Sequence, residues 1–123
     1  MMYQYTKDIT KVRNKIEGNS GEIRAVSFLK DKGYRILQTN FKTKFGEIDI
    51  VAFKDGVTVF VEVKNRSTLA YGRPIEAVDF RKQQIIRKVA EVYLMIKHTP
   101  YADCRFDVIE IVDDEINHVE DAF

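Results

Sequence analysis

The chain has 123 residues, 45% hydrophobic and 32% charged, as is typical of a single soluble globular domain. No apolar run approaches the roughly 20 residues of a membrane helix, the polar N-terminus lacks a signal peptide's apolar segment, and one cysteine rules out an intrachain disulfide, so a cytoplasmic protein is expected. The net charge of +1 is unevenly distributed along the chain. Residues 1–102 are basic, with 19 Lys+Arg and 11 Asp+Glu, whereas residues 103–123 are acidic, with 1 Lys+Arg and 8 Asp+Glu. This distribution indicates polyanion binding or, alternatively, ordinary surface charge.

The first part of the chain has a helical pattern. Apolar residues at helical spacing predict one long helix or two short ones over about residues 8–32, with an N-terminal helical arm over residues 1–17. Gly33 follows a lysine-rich turn and is a good helix stop. A second helix is predicted to open at Pro74, a residue suited to a first helical turn, and to run to about Lys97.

Alternating apolar residues predict the strands. Asp55-Gly56 separates two of them and is a strong signal for a two-residue hairpin turn. The resulting order, α-β-β-β-α-β, predicts an α/β fold with a mixed sheet flanked by helices, in one domain over residues 1–123 with an acidic C-terminal end over residues 113–123. Strands are predicted over residues 34–41, 47–53, 57–64, 104–112 and 116–120.

The hairpin turn fixes which side chains face one another. Counting back from Asp55-Gly56 places Asp49 opposite Glu62 and Glu47 opposite Lys64. The other face of the hairpin is then a continuous apolar surface, which supports this register. Its predicted pairs are Ile48 with Val63, Ile50 with Val61, and Ala52 with Val59.

The predicted Asp49–Glu62 pair requires compensation. Opposed Cβ atoms lie roughly 4.5–5.5 Å apart, and two carboxylates at that separation repel by roughly 3–4 kcal/mol. One carboxyl group would stay protonated, a lysine would lie between the two, or a divalent cation would bridge them. The structural alternative is a solvated sheet face with a Glu47–Lys64 salt bridge.

Two further charged residues fall on the apolar sides of helices. Lys82 lies in the middle of the apolar stripe of the second helix, where it either snorkels to the edge or points into a polar site under the helix end. Glu22 projects to the packed side of the first helix, although a glutamate favoured by the helix dipole is the simpler explanation.

Asp49, followed after a hairpin by Glu62-Val63-Lys64, resembles the D…ExK signature of the PD-(D/E)xK nuclease superfamily. That superfamily includes restriction enzymes and Holliday-junction resolvases, and its common core is also α-β-β-β-α-β. A longer ordered set of residues, over about 18–112, is similar to the UPF0102 (YraN-like) family. This set comprises Gly21, Glu22, Ala25, Gly33, Tyr34, Asn40, residues 46–49, residues 60–64, Arg66, Gly72, Pro74, residues 76–78, Lys82, Ala90, Tyr93, Leu94 and residues 105–108.

The resemblance implies a restriction-endonuclease-like fold and a metal-dependent endonuclease. Asp49 and Glu62, with the backbone carbonyl of Val63, would bind Mg²⁺ or Mn²⁺. Lys64 would be the catalytic lysine, and Glu22 would match an additional first-helix acid of the resolvase-like branch. The superfamily's proline ahead of the aspartate is absent, because Glu47-Ile48 stands there.

The expected substrate is DNA, including branched or repair intermediates. Lys42 and Lys44 in one loop and Arg66 and Arg73 in another would hold the nucleic-acid backbone, and Lys82 is a looser match to a polar residue on the helix after the site. Taken singly, Lys42, Lys44 and Arg66 are better explained as solvated charges. Resolvase-like enzymes act as dimers, so a homodimer is one expected assembly, although no sequence feature marks a dimer surface. The competing functions are a catalytically inactive nucleic-acid-binding or adaptor protein on a nuclease fold, and an interaction domain acting through its acidic tail.

Overall fold

Two helices and five strands make up the part of the chain that the computed structural model describes, residues 20–66 and 78–123. The predicted helical arm over residues 1–17 and the loop containing Arg73 lie outside these ranges. In chain order the elements are α1 (Ser20–Asp31), β1 (Arg35–Thr43), β2 (Gly46–Lys54), β3 (Val57–Arg66), α2 (Phe80–Ile96), β4 (Cys104–Val112) and β5 (Glu115–Val119).

The strands form one mixed sheet in the order β1-β2-β3-β4-β5. Neighbouring strands are antiparallel except β3 and β4, which are parallel and are joined by a connection that contains α2. The predicted α/β class and the α-β-β-β-α-β order are therefore confirmed. Neither helix of the described ranges is both long and apolar enough to cross a lipid bilayer.

Of the two helices in the described ranges, one packs on each face of the sheet. Ala25 and Leu29 of α1 pack on a cluster that includes Ile50 and Val61. On the opposite face, α2 buries residues at helical spacing against a second cluster. These α2 residues are Ile86, Val89, Ala90, Tyr93 and Leu94.

The β2–β3 hairpin has the predicted turn. Asp55 and Gly56 both have positive φ angles, 52° and 81°, as a two-residue type I′ turn requires. The register runs from Lys54 opposite Val57 to Ile50 opposite Val61, and it matches the predicted register over this length.

The predicted start of the second helix is wrong. Pro74 lies outside the described residues, but Val78 and Asp79 are not helical, and α2 begins at Phe80. The Asp79 side chain accepts a hydrogen bond of 2.8 Å from the Lys82 N–H. Asp79 is therefore the N-cap, a position that aspartate favours strongly.

The predicted apolar face is wrong at Ile48. Ile50 and Ala52 pack under α1, but Ile48 belongs to the cluster under α2. Simple alternation would place all three on one face. The alternation breaks at Asp49, beside Asn40 of β1, which has a positive φ of 52°.

Candidate active site

The sheet opens into a fork between β2 and β3. Their ladder ends at the pair Ile50–Val61. Beyond that pair, β2 continues along β1 as far as Gly46, and β3 continues along β4 as far as Arg66. The next residues after the last pair are Asp49 and Glu62, so the two predicted carboxylates stand where the strands separate.

Asp49 bridges this fork with its side chain. Its Oδ2 accepts a hydrogen bond of 2.7 Å from the backbone N–H of Val63. Burial, a hydrogen bond with Glu62 and the negative charge of Glu62 together raise the pKa of Asp49 to about 7, against the opposing effects of the Val63 N–H and of Lys82. The pair therefore retains a proton far above the range of an ordinary aspartate.

Glu62 is the more deeply buried carboxylate, with 7% of its side chain exposed. The Lys82 Nζ lies 3.4 Å from its Oε2 and the Lys64 Nζ lies 3.8 Å from the same atom. Lys82 therefore points into the polar site and does not snorkel away from it. Of the three predicted ways to compensate the paired acids, the raised pKa of Asp49 favours the protonated carboxyl group, and the two lysines lie against Glu62.

Glu22 reaches the fork indirectly. Its Oε1 accepts a hydrogen bond of 2.6 Å from Asn40 Nδ2. Asn40 follows Thr39, which pairs with Ile50, so it occupies the β1 position next to Asp49. The positive φ of Asn40 is one that asparagine tolerates better than most residues. Asn40 was named only within the UPF0102 resemblance and was not predicted to belong to the site, since no local pattern marks a break in a strand.

The oxygen donors at the fork suit a hard divalent cation. Asp49 and Glu62 are in contact, and the N–H and C=O of a strand residue point to the same side, so the Val63 carbonyl faces the fork as its N–H does. Within residues 20–66 and 78–123, no group of three or more His, Cys, Asp or Glu side chains is placed to hold a metal ion. A cation here would depend on two carboxylates, a backbone carbonyl and water or phosphate oxygens.

The Glu47–Lys64 salt bridge of the alternative interpretation is not the observed pairing. Glu47 lies 3.8 Å from Lys42 of β1, and both side chains are largely exposed. Lys64 is paired with Glu62. The lysine of the D…ExK pattern therefore faces the carboxylates and not the rim of the hairpin.

Of the other predicted nucleic-acid contacts, the structure describes Lys44 and Arg66. Lys44 is at the tip of the β1–β2 turn, over the ring of Phe45. The Arg66 Nε lies 3.5 Å from Oε2 of Glu110. Arg73 lies outside the described residues.

Glu110 is a buried acid that sequence reasoning missed. It lies opposite Lys64 in the register of the parallel β3–β4 ladder, and its buried side chain forms an ion pair with Arg66. The signal for it was its spacing, because Glu110 alternates with buried Phe106 and Val108 and so belongs to an inward-facing row.

A second polar cluster, on the face of the sheet that packs against α1, surrounds the fully buried Asp107. Arg105 binds both carboxylate oxygens, at 2.8 and 2.9 Å, and His118 Nε2 lies 2.7 Å from Oδ2. The backbone N–H of Asp121 donates to Oδ1 at 2.9 Å. Burial alone would raise the pKa of Asp107, but the hydrogen bonds from His118, Arg105 and Asp121 outweigh it and lower that pKa.

Comparison with known proteins identifies relatives over most of the chain. The sequence profile described as "Uncharacterised protein family UPF0102" matches residues 21–111. A UPF0102 protein of Alkaliphilus oremlandii is 50% identical over 116 residues, covering 89% of this chain and 99% of the relative. UPF0102 proteins of Persephonella marina and Caldanaerobacter subterraneus are each 44% identical, covering 88% and 92% of this chain and 93% and 98% of the relatives.

Proposed function

This chain belongs to the UPF0102 family, and on that premise we propose that it is a metal-dependent endonuclease that hydrolyses phosphodiester bonds of DNA. The observation that carries the proposal is the hydrogen-bonded pair of Asp49 and Glu62, which occupies the fork between β2 and β3 with Lys82 and Lys64 against it. Strained pairs of acids with perturbed pKa values are characteristic of functional sites.

Mg²⁺ or Mn²⁺ would be held by Asp49, Glu62 and the Val63 carbonyl, and it would lower the pKa of a bound water and polarise a phosphoryl oxygen. The donor set fits, because a cation would replace the proton that now relieves the repulsion between the two acids. Asp49 is fixed for this role by its hydrogen bond from Val63.

The lysines supply positive charge to the phosphate. Lys82 and Lys64 both form ion pairs with Glu62. If Glu62 bound the cation, Lys64 would orient the attacking water or offset negative charge that develops on the phosphoryl oxygens. Lys82, in the first turn of α2, would hold the nucleic-acid backbone beside it.

A panel of labelled substrates tests this function. Single-stranded, duplex, flapped and four-way-junction DNA, and matching RNA, are incubated with the protein and Mg²⁺ or Mn²⁺. We expect cleavage of at least one DNA form, and a loss of about a hundredfold or more in Asp49→Asn and Glu62→Gln, because the cation contributes several kcal/mol of charge stabilisation. Asp49→Asn retains an acceptor for the Val63 N–H, which makes it a cleaner variant than Asp49→Ala.

Glu47→Gln is the matched control, since Glu47 is an exposed acid on the same strand, paired with Lys42. It should retain full activity. An equal loss of cleavage activity in Glu47→Gln and Asp49→Asn would contradict the assignment of the site. Cleavage that persists in a chelator would contradict it as well.

An adaptor without catalysis is the second candidate function. It is favoured by the lack of a third acidic side chain in metal-binding position within the described ranges. Under this candidate, no substrate is cleaved with either metal, yet DNA is bound with an affinity that falls as salt rises, as phosphate contacts require.

A further inference from the structure

An exposed aromatic ring stands between two lysines at the tip of the β1–β2 turn. Phe45 has 42% of its surface exposed. The Nζ atoms of Lys44 and Lys88 each lie 5.3 Å from the centre of its ring. Lys44 precedes Phe45 in the turn, and Lys88 comes from α2, so two separate elements direct charge at the same ring.

The turn that carries Phe45 is held in place. Thr43 Oγ1 accepts a hydrogen bond of 3.0 Å from the Phe45 N–H and donates one of 3.1 Å to the Gly46 carbonyl. Gly46 itself lies against Ile85 of α2. The ring is therefore presented by a fixed backbone, which reduces the entropy lost when a ligand binds to it.

The surroundings of the ring are basic. Lys44 and Lys88 both direct positive charge at it, whereas Lys42 follows Phe41, which packs under α2, and so points to the opposite face of the hairpin. Lys44, Phe45 and Lys88 together form what is called here the stacking patch. Phe45 precedes Asp49 by four residues, or about 13 Å along the chain at 3.3 Å per residue.

We propose that the stacking patch binds an unpaired base of a nucleic-acid strand, with the base on Phe45 and the flanking phosphates on Lys44 and Lys88. This inference rests on the proposed function, because it defines the substrate of the Asp49–Glu62 site as nucleic acid with a single-stranded segment beside the bond to be cut. Contacts to phosphate alone would need lysines but no exposed ring, whereas a base that is stacked in a duplex hides its faces from that ring.

Binding measurements in a chelator test the patch without any catalysis. Fluorescence anisotropy is recorded with an oligothymidylate of about 16 nucleotides, the upper site size of a single-strand-binding domain, with an abasic strand of equal length, and with a blunt duplex. Phe45→Ala should weaken oligothymidylate binding about fivefold or more, since stacking on an aromatic residue contributes at least that factor. It should change abasic and duplex binding less than about twofold, and Phe45→Trp should restore the affinity.

Lys88→Ala should weaken binding to all three ligands, because it contacts phosphate. Tyr101→Ala and Lys97→Ala are matched controls, because they change an exposed aromatic residue and an exposed lysine that follow the C-terminal end of α2, and both should bind as the unsubstituted protein does. Circular dichroism verifies that every variant is folded.

Three results would overturn the proposal: no binding of oligothymidylate by the unsubstituted protein, no effect of Phe45→Ala, or an equal effect of Phe45→Ala on the abasic strand. These outcomes are separate from failure of the proposed function. A protein that binds the oligothymidylate through Phe45 but cleaves nothing refutes the nuclease and retains the patch.

Discussion

At the scale of single residues, Asp49 makes the metal-free protein less stable as pH rises. Its pKa is about 7 when folded but about 3.9 when unfolded. Between these values the folded state binds more protons, so the free energy of unfolding falls with increasing pH and levels off above pH 7. Asp49→Asn mimics the protonated form, and we expect it to be more stable than the unsubstituted protein by roughly 2–4 kcal/mol at about pH 8 and by much less near pH 4.

Urea denaturation in a chelator at several pH values measures this difference. The control is Asp55→Asn, which changes an exposed aspartate of the hairpin turn and should leave the shape of the pH curve unaltered. Added Mg²⁺ should stabilise the unsubstituted protein and leave Asp49→Asn unchanged. If the difference in unfolding free energy between Asp49→Asn and the unsubstituted protein did not change with pH, Asp49 would have an ordinary pKa.

At the scale of elements, a glycine allows α2 to pack closely against β2. Gly46 has a φ of 150°, and a Cβ added there would lie 2.6 Å from Cγ2 of Ile85. Gly46→Ala should therefore push α2 off the hairpin and cost about 2–4 kcal/mol in the free energy of unfolding, from overpacking added to backbone strain. Gly56→Ala is the comparison, because it has a positive φ but no atom within 4 Å, and should cost about 1 kcal/mol. Equal losses in the two variants, measured by urea denaturation, would contradict tight docking.

The hairpin also shows how far the sequence could predict this protein. Asp55-Gly56 predicted the turn and the register up to Ile50–Val61, because a two-residue turn dictates both. The fork could not be predicted, since it depends on the break in β1 at Asn40 and on a side chain that replaces a ladder hydrogen bond. Helical angle alone placed Lys82 among apolar residues, but its contact with Glu62 depends on where α2 crosses the sheet.

At the scale of the whole molecule, the Asp107 cluster joins distant parts of the chain. His118 of β5 contacts both Asp107 of β4 and Lys32 after α1, and Arg105 also donates to the Tyr34 hydroxyl at 2.7 Å. Polar contacts of such long sequence separation leave no periodic pattern, so sequence reasoning did not detect this cluster.

Asp107→Asn should destabilise the protein by about 3–5 kcal/mol, because it leaves Arg105 without its buried carboxylate. The lowered pKa of Asp107 stabilises the fold above the unfolded value of about 3.9, and that contribution is lost as pH falls through the folded pKa. Thermal and urea denaturation at neutral and acidic pH measure both effects. Asp114→Asn, at an exposed turn position, should change stability by less than about 0.5 kcal/mol, and a similarly small loss in Asp107→Asn would show that the cluster is dispensable.

The hydrogen bond from Val63 to Asp49 also gives the fork its own spectroscopic reporter. The Val63 N–H donates to the Asp49 carboxylate and not to a backbone carbonyl of a neighbouring strand. Its electronic environment therefore follows the state of one side chain. The amide resonance of Val63 should shift as Asp49 loses its proton near pH 7, and shift differently when a cation takes the place of that proton. A single peak in a two-dimensional nitrogen–proton spectrum would then distinguish the protonated, ionised and metal-bound forms of the site, with no substrate and no substitution required.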